Sequence, residues 1–149
     1  PMAMTMNGEV QLAAPRETVW EKLNDPEVLK SCIPGCEELE RTEDNGFRAV
    51  AKIKVGPVSA RFKGKVMLSD LDPPNGYKIS GEGEGGIAGF AKGGATVGLT
   101  DKDGGTLLSY NVEAQIGGKL AQLGQRLING TAKKLADEFF AGFARAVQG

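Results

Sequence analysis

GGKLAQLGQRLINGTAKKLADEFFAGFARAV, residues 117–147, is the one segment of this chain long and periodic enough to form a major helix. Leu120, Leu123, Gly124, Leu127 and Thr131 recur at the i, i+3, i+4, i+7 spacing of a buried helical face. Leu135, Phe139 and Phe143 continue the stripe, and Ile128, Ala132, Ala136 and Phe140 widen it. Gln122, Arg126, Asn129, Lys133 and Asp137 fall on the other side. At about 3.6 residues per turn the stripe drifts by roughly a quarter turn between its halves, which suits a helix that curves between two different surroundings. Gly124 and Gly130 each cost about 1 kcal/mol against alanine in a helix interior, so they are expected to mark a bend or a close approach.

A helix of that size needs a sheet to cover, and the residues ahead of it supply one. From Met4 to Ala13 apolar and polar residues alternate, as in a half-buried strand. Pro15 then suits the first position of a short helix with Val19, Trp20 and Leu23 on its buried face. Asp25 is placed to cap a second short helix, with Val28 and Leu29 turned inward. Six strand-like segments follow without a helix between them: 37–43, 47–56, 58–71, 77–85, 90–100 and 106–116. Their short connections imply an antiparallel meander. The order predicts an α+β domain in which a curved seven-stranded antiparallel sheet wraps the long C-terminal helix. A single domain over residues 4–149 is expected, with Pro1, Met2 and Ala3 preceding a start at Met4 and lying outside the fold.

Composition narrows the function classes. A chain of 149 residues buries roughly 70% of the surface its unfolded form exposes, so it needs neither disulfide nor metal to stand. A formal net charge of −1 argues against nucleic acid as a partner. The chain has no histidine, which removes the commonest general base and the commonest zinc ligand. It shows no apolar run of about 18 residues and no signal-like N-terminus, so a cytoplasmic protein with Cys32 and Cys36 reduced is expected.

Glycine is the abnormal quantity, at 22 residues, and most of it falls within strand-like segments. Alternation assigns Gly64, Gly81, Gly83, Gly85 and Gly93 to the inward face, so that face lacks volume in its middle strands. Interiors pack at crystal-like density, and small residues must be matched by large ones or leave space. Either the glycines let the sheet bend and the helix sit close, or they leave an apolar cavity. The candidate lining is Trp20, Phe47, Phe62, Tyr77, Phe90 and Tyr110 with Leu123 and Leu127 from the tail, and Ile33 at the mouth. Such a cavity with few convergent polar groups is by default a ligand site and not a catalytic one.

The remaining motifs carry little chemistry. Cys32-Ile-Pro-Gly-Cys36 offers two thiols with no second pair, and is read as a structural turn that also forms a lip to the cavity. The glycine-rich run 81–94 lacks the phosphate-loop pattern and no helix starts after it. Glu82 and Glu84 point to solvent, where they suit cross-strand pairing with Lys63 or Lys65. Lys52, Lys54, Arg61, Lys63 and Lys65 form a basic outer patch, either a solvated face or a dock for anionic lipid or an acidic partner. No serine sits with a base partner; catalytic residues, metal ligands and cofactors are therefore all expected to be none.

Several separate motifs, taken together, carry a resemblance. Residues 14–26, APRETVWEKLNDP, resemble the opening of the polyketide-cyclase, START-like and birch-pollen-allergen-like superfamily. The segments 32–37 (CIPGCE), 54–58 (KVGPV), 85–91 (GGIAGFA), 117–126 (GGKLAQLGQR) and 136–140 (ADEFF) are similar to those of the carbon monoxide dehydrogenase G-subunit family, over nearly all of residues 4–147. The superfamily implies a helix-grip fold and a hydrophobic ligand cavity. The family implies a non-enzymatic partner of a molybdenum hydroxylase, concerned with membrane recruitment or quinone supply. The resulting expectation is a carrier of a quinone- or lipid-like molecule, cytoplasmic and peripheral to the inner membrane. Its rival is an assembly or recruitment factor that acts through its outer surface.

Overall fold

The computed structural model describes residues 1–148. The chain runs β1 (Met2–Leu12), α1 (Arg16–Leu23), α2 (Pro26–Cys32), β2 (Cys36–Arg41), β3 (Gly46–Val55), β4 (Val58–Asp72), β5 (Gly76–Glu84), β6 (Phe90–Lys102), β7 (Gly105–Gly117), α3 (Lys119–Gln122) and α4 (Gln125–Gln148). One turn of 3₁₀ helix, Gly86–Ala88, joins β5 to β6. All seven strands form one antiparallel sheet in the order β1-β7-β6-β5-β4-β3-β2. This is the helix-grip arrangement expected from the order of elements.

The predicted alternation holds strand by strand. A single row crosses the sheet from Phe47 to Val66, Gly81, Gly93, Ala114 and Met4. A parallel row links Ala49, Gly64, Gly83, Ala91, Ile116 and Met2. Within β1 and β3–β7 these inward residues meet inward residues across the ladders, as a sheet with one buried face requires, while at β2 Phe47 meets Arg41, whose guanidinium lies 5.0 Å from its ring centre. On the outer face Glu82 lies opposite Lys65 and Glu84 opposite Lys63, so the expected cross-strand partners do face one another.

Two boundaries differ from expectation. Met2 and Ala3 belong to β1, paired with Ile116 and Gln115, because the edge of β7 offers backbone partners that far. The tail is not one continuous helix. Gly124 adopts φ +96°, outside the helical region, and separates the short α3 from α4. No atom comes near a Cβ built on Gly124 or Gly130, so neither glycine serves a close approach. Gly124 is a break that only a residue without Cβ makes cheaply.

Packing divides into two clusters. At the end capped by α1 and α2, Leu12, Val19, Leu99, Leu108 and Phe143 are almost wholly buried, with Phe139, Phe140 and Val147 beside Phe143. Phe139 stacks on Phe143 at 5.7 Å and meets Phe140 edge-on at 5.0 Å. Thr106, also wholly buried, donates its hydroxyl to the Ala14 carbonyl at 2.7 Å and so ties β7 to the start of α1. At the other, hinged end a smaller cluster of Met4, Val55, Ile116, Leu120 and Ile128 holds α3 and the first turns of α4. The capped end is aromatic and the hinged end aliphatic.

Candidate functional site

The long helix touches the rims of the sheet more than its middle. Its close backbone neighbours are α2 and β3 on one side and β1 on the other; none of β4–β7 approaches it comparably. Between the two clusters, Ala49, Ala51 and Ala95 face inward, stay partly accessible, and belong to neither cluster. Leu135 on α4 is likewise half-buried and outside both. A helix laid from rim to rim across a concave sheet of small residues leaves an apolar gap beneath its middle.

The gap opens where β1, an edge strand, runs beside α4. There a groove of ≈ 630 Å³ is lined by Met4, Met6, Gly8 and Val10 from the strand and by Tyr110, Ala132 and Phe140. That volume lies within the usual range for small-molecule sites, about 300–1,000 Å³. Tyr110 stacks on Phe140 at 5.2 Å, and its ring lies over Gly8, where a Cβ would meet the phenolic oxygen at 2.5 Å. The polar rim comes from both elements, Thr5, Asn7 and Glu9 on β1 and Asn129, Lys133 and Asp137 on α4, with Lys133 Nζ donating to Asp137 at 2.6 Å. That bond raises the lysine's pKa, so Lys133 stays cationic at neutral pH. Larger recesses of ≈ 820 and ≈ 940 Å³ lie mainly on the outer face among charged and hydroxyl side chains such as Lys63, Glu82, Lys92 and Ser80. They lie open on the solvent side of the sheet, whereas the β1–α4 groove is walled on one side by the helix.

The aromatic and aliphatic residues singled out in the sequence do not converge on one spot. Trp20, Phe47, Tyr77 and Tyr110 pack at the capped end, Trp20 meeting Tyr77 edge-on at 5.4 Å. Burial pushes the Tyr77 phenol well above its ordinary pKa, so it stays neutral. Phe62, Leu123 and Leu127 join the hinged cluster. Phe62 lies over Gly85 and Leu127 over Gly56, each close enough that a Cβ on the glycine would collide. Each of these turn glycines is thus covered by a large side chain, the Phe62 ring from β4 and the Leu127 side chain from α4. Phe90 does not reach the gap. Alternation from the inward Ala91 turns it to the opposite face, where its ring covers Gly117 and 38% of it stays exposed. The mouth is not beneath Ile33 either. Ile33 sits half-buried in the turn before β2, and that turn is tied down: Lys52 N–H donates to the Gly35 carbonyl at 2.9 Å, and Gly35 holds φ +71° against the Lys52 carbonyl.

Sequence reasoning missed Met4, Met6, Gly8, Val10 and Phe140 as lining. The signal was present in the Met-Met-Gly-Val alternation of β1, but its meaning depended on β1 being an edge next to α4, a non-local fact. Cys32 and Cys36 are both free thiols; Cys32 is buried, and burial raises the pKa of Cys36. The basic patch is partly engaged: Arg61 forks onto Glu37 at 2.8 and 3.3 Å, and Lys65 lies 3.5 Å from Asp44. Among the described residues no group of three or more His, Cys, Asp or Glu stands together as a metal site, and no helix is long and apolar enough to cross a membrane.

Comparison with known proteins adds family and fold. The profile of the family described as the carbon monoxide dehydrogenase G subunit (CoxG) matches residues 8–148. A search of curated proteins returns no significant match. Among solved structures, a conserved protein from Geobacillus kaustophilus is similar at 35% identity with TM-score 0.91, covering 97% of this chain and 95% of its own. The Zhui aromatase/cyclase from Streptomyces sp. R1128 superposes with TM-score 0.70 at 14% identity, covering 99% of this chain and 94% of its own. Ara h 8.0201 does so with TM-score 0.66 at 15% identity, covering 99% of each. At those identities the last two are similar in fold alone.

Proposed function

We propose, from the premise that this chain belongs to the carbon monoxide dehydrogenase G-subunit (CoxG) family, that it carries an apolar or amphiphilic molecule between α4 and the sheet. Cargo of quinone or lipid type fits best, delivered in support of a molybdenum hydroxylase of the carbon monoxide dehydrogenase type, in the cytoplasm at the inner membrane. The observation that carries the reading is the groove between β1 and α4, where Met4, Met6, Val10, Ala132 and Phe140 form an apolar wall beside polar side chains from both elements. Burial of cargo there is worth roughly 25 cal/mol per Å² of apolar surface, with no charged group to neutralise inside. The reading is non-catalytic. The ionisable side chains at the groove are Glu9, Lys133 and Asp137, all exposed at the rim, and no acid or base faces inward against the cargo.

The chain's single tryptophan gives a direct assay. Trp20 packs at the capped end against Tyr77. Added short-chain naphthoquinone should quench its fluorescence saturably, and organic extracts of the purified protein should contain quinone or lipid by mass spectrometry. Ala132→Trp, placed in the groove wall, should abolish extraction and quinone-dependent protection from proteolysis while leaving the fold intact. Unsaturable quenching together with empty extracts would sink the carrier reading.

A second reading, recruitment through the outer surface, draws on Lys52 lying directly opposite Arg61 in the β3–β4 ladder. Glu37 already forks onto Arg61 and also acts on Lys52, so the cations of this face left for an outside anion are chiefly Lys54 and the remaining charge of Lys52. Charge reversal at Lys52 and Lys54 should leave quinone binding unchanged under the carrier reading and remove the partner enzyme under this one.

A further inference from the structure

The least expected side chain on the surface is Ile87, 85% exposed at the tip of the β5–β6 loop, with Phe90 38% exposed behind it. Three segments emerge together at this end of the sheet, because the register places Val55 opposite Val58 and Phe90 opposite both Glu84 and Gly117. They are the β3–β4 turn (54–58), the β5–β6 loop (85–90) and the β7–α3–α4 junction (117–126). Together they contain Lys54, Lys119 and Arg126 and not one Asp or Glu. The loops and strand ends at the capped end have the reverse balance, Glu43, Asp44, Asp70, Asp72, Asp101 and Asp103 against Arg41 and Lys102, whereas the same count at the hinged end adds a single acid, Glu84. The molecule is therefore polarised along its length, with its one bare isoleucine at the cationic end.

We propose that this end docks on an anionic lipid surface, with Ile87 inserted among the acyl chains and Lys54, Lys119 and Arg126 against the headgroups. Three features favour a bilayer over a protein. A stable protein interface needs roughly 1,000 Å² of contact, and one isoleucine backed by a partly covered phenylalanine offers a point and not a patch. The loop is also compact: Gly85 N–H donates to Gly89 O at 2.9 Å, Ala88 N–H to Gly85 O at 3.2 Å and Gly89 N–H to Gly86 O at 3.2 Å, which leaves the Gly86 and Ile87 N–H groups at its tip to the hydrated headgroup layer while the Ile87 side chain enters. Finally, the finger is rigidly based. Ala88 and Gly89 are buried, and a Cβ on Gly89 would meet the Gly117 carbonyl at 2.1 Å, so the loop is wedged against the β7–α3 junction. Basic residues around an apolar tip are the ordinary composition of a peripheral membrane contact.

Docking at this end would bring the hinged α3 to the lipid, and it rests on the carrier reading for its purpose only; the contact itself is tested without cargo. The full chain is sedimented with vesicles of phosphatidylcholine alone and of phosphatidylcholine mixed with phosphatidylglycerol. Binding is expected to the mixed vesicles only, and to be lost in high salt as the Debye length shortens. Ile87→Asp and the pair Lys119→Glu/Arg126→Glu should each lower binding at least about tenfold. Reversal at the far end, Asp101→Lys/Asp103→Lys, should not lower it. Quinone quenching of Trp20 in the Ile87→Asp protein should match the wild type, which separates failure of the docking from failure of the carrier reading. Wild-type protein that ignores both vesicle types, or Ile87→Asp protein that binds as well as wild type, would overturn the proposal. So would loss of a partner enzyme from Ile87→Asp protein with vesicle binding unchanged, since that assigns the tip to a protein.

Discussion

The two ends of the sheet are built from the same alternation but filled differently. At the capped end the helix brings Phe139, Phe140 and Phe143 into a cluster with Leu12, Leu99 and Leu108, closed over by α1 and α2. At the hinged end it brings Ile128 and, half-buried, Leu127 to Val55 and Ile116, and the cover is a four-residue helix set between Gly118 at φ +75° and Gly124 at φ +96°. Stability is concentrated where the chain is closed; the segment next to the apolar gap is held by fewer and smaller side chains. A carrier needs that division, since the part that admits cargo must open without unfolding the rest.

The division is broken most severely by Phe143→Ala. Phe143 is wholly buried, so the substitution should cost about 3–5 kcal/mol in urea unfolding. Leu127→Ala, on the half-buried stripe of the hinged end, should cost under about 2 kcal/mol. Equal losses from the two would mean the ends are not energetically distinct.

Thr106→Val tests the closure of the capped end alone. It leaves the Ala14 carbonyl without its hydroxyl donor in a buried setting, and should cost about 1–3 kcal/mol with cargo binding unchanged.

Gly124→Ala acts at the other end and only on the backbone. Nothing stands within reach of the added methyl, so its cost should be the strain of positive φ, about 1 kcal/mol by thermal unfolding. The more telling readout is amide hydrogen exchange of residues 119–124, which should change while α4 beyond residue 128 does not.

The smallest effect concerns Glu37. Its hydrogen bond from Arg61 is the main cause of a lowered pKa. A group with a depressed folded-state pKa adds stability that is present above the ordinary value of 4.5 and is lost as pH falls through the folded value. Melting temperatures of wild type and Glu37→Gln should therefore differ slightly at neutral pH and converge in acid. The pair is exposed, so added salt should shrink the neutral-pH difference too.

The architecture was legible because sheet registry follows from local alternation. Once Phe47, Val66, Gly81, Gly93, Ala114 and Met4 are each inward on their own strands, every slip by an odd number of residues is excluded, and the short turns choose among the rest. The site was less legible for two physical reasons. Whether a glycine breaks a helix or merely weakens it depends on its φ, and Gly124 and Gly130 look alike in sequence but differ in backbone. The mouth of the gap is set by the lie of α4 against the edge strand, which no local pattern encodes. Phe90 was a different kind of miss: its parity relative to Ala91 already turned it outward, and its aromatic character outweighed that.

The central claim is that cargo sits between α4 and the sheet, and brominated naphthoquinone soaked into crystals would test it most directly. The account predicts anomalous bromine density in the groove between Tyr110 and Ala132, with the Tyr110–Phe140 stack displaced from its present 5.2 Å spacing. Density confined to the charged outer face, with that stack unmoved at saturating quinone, would contradict it.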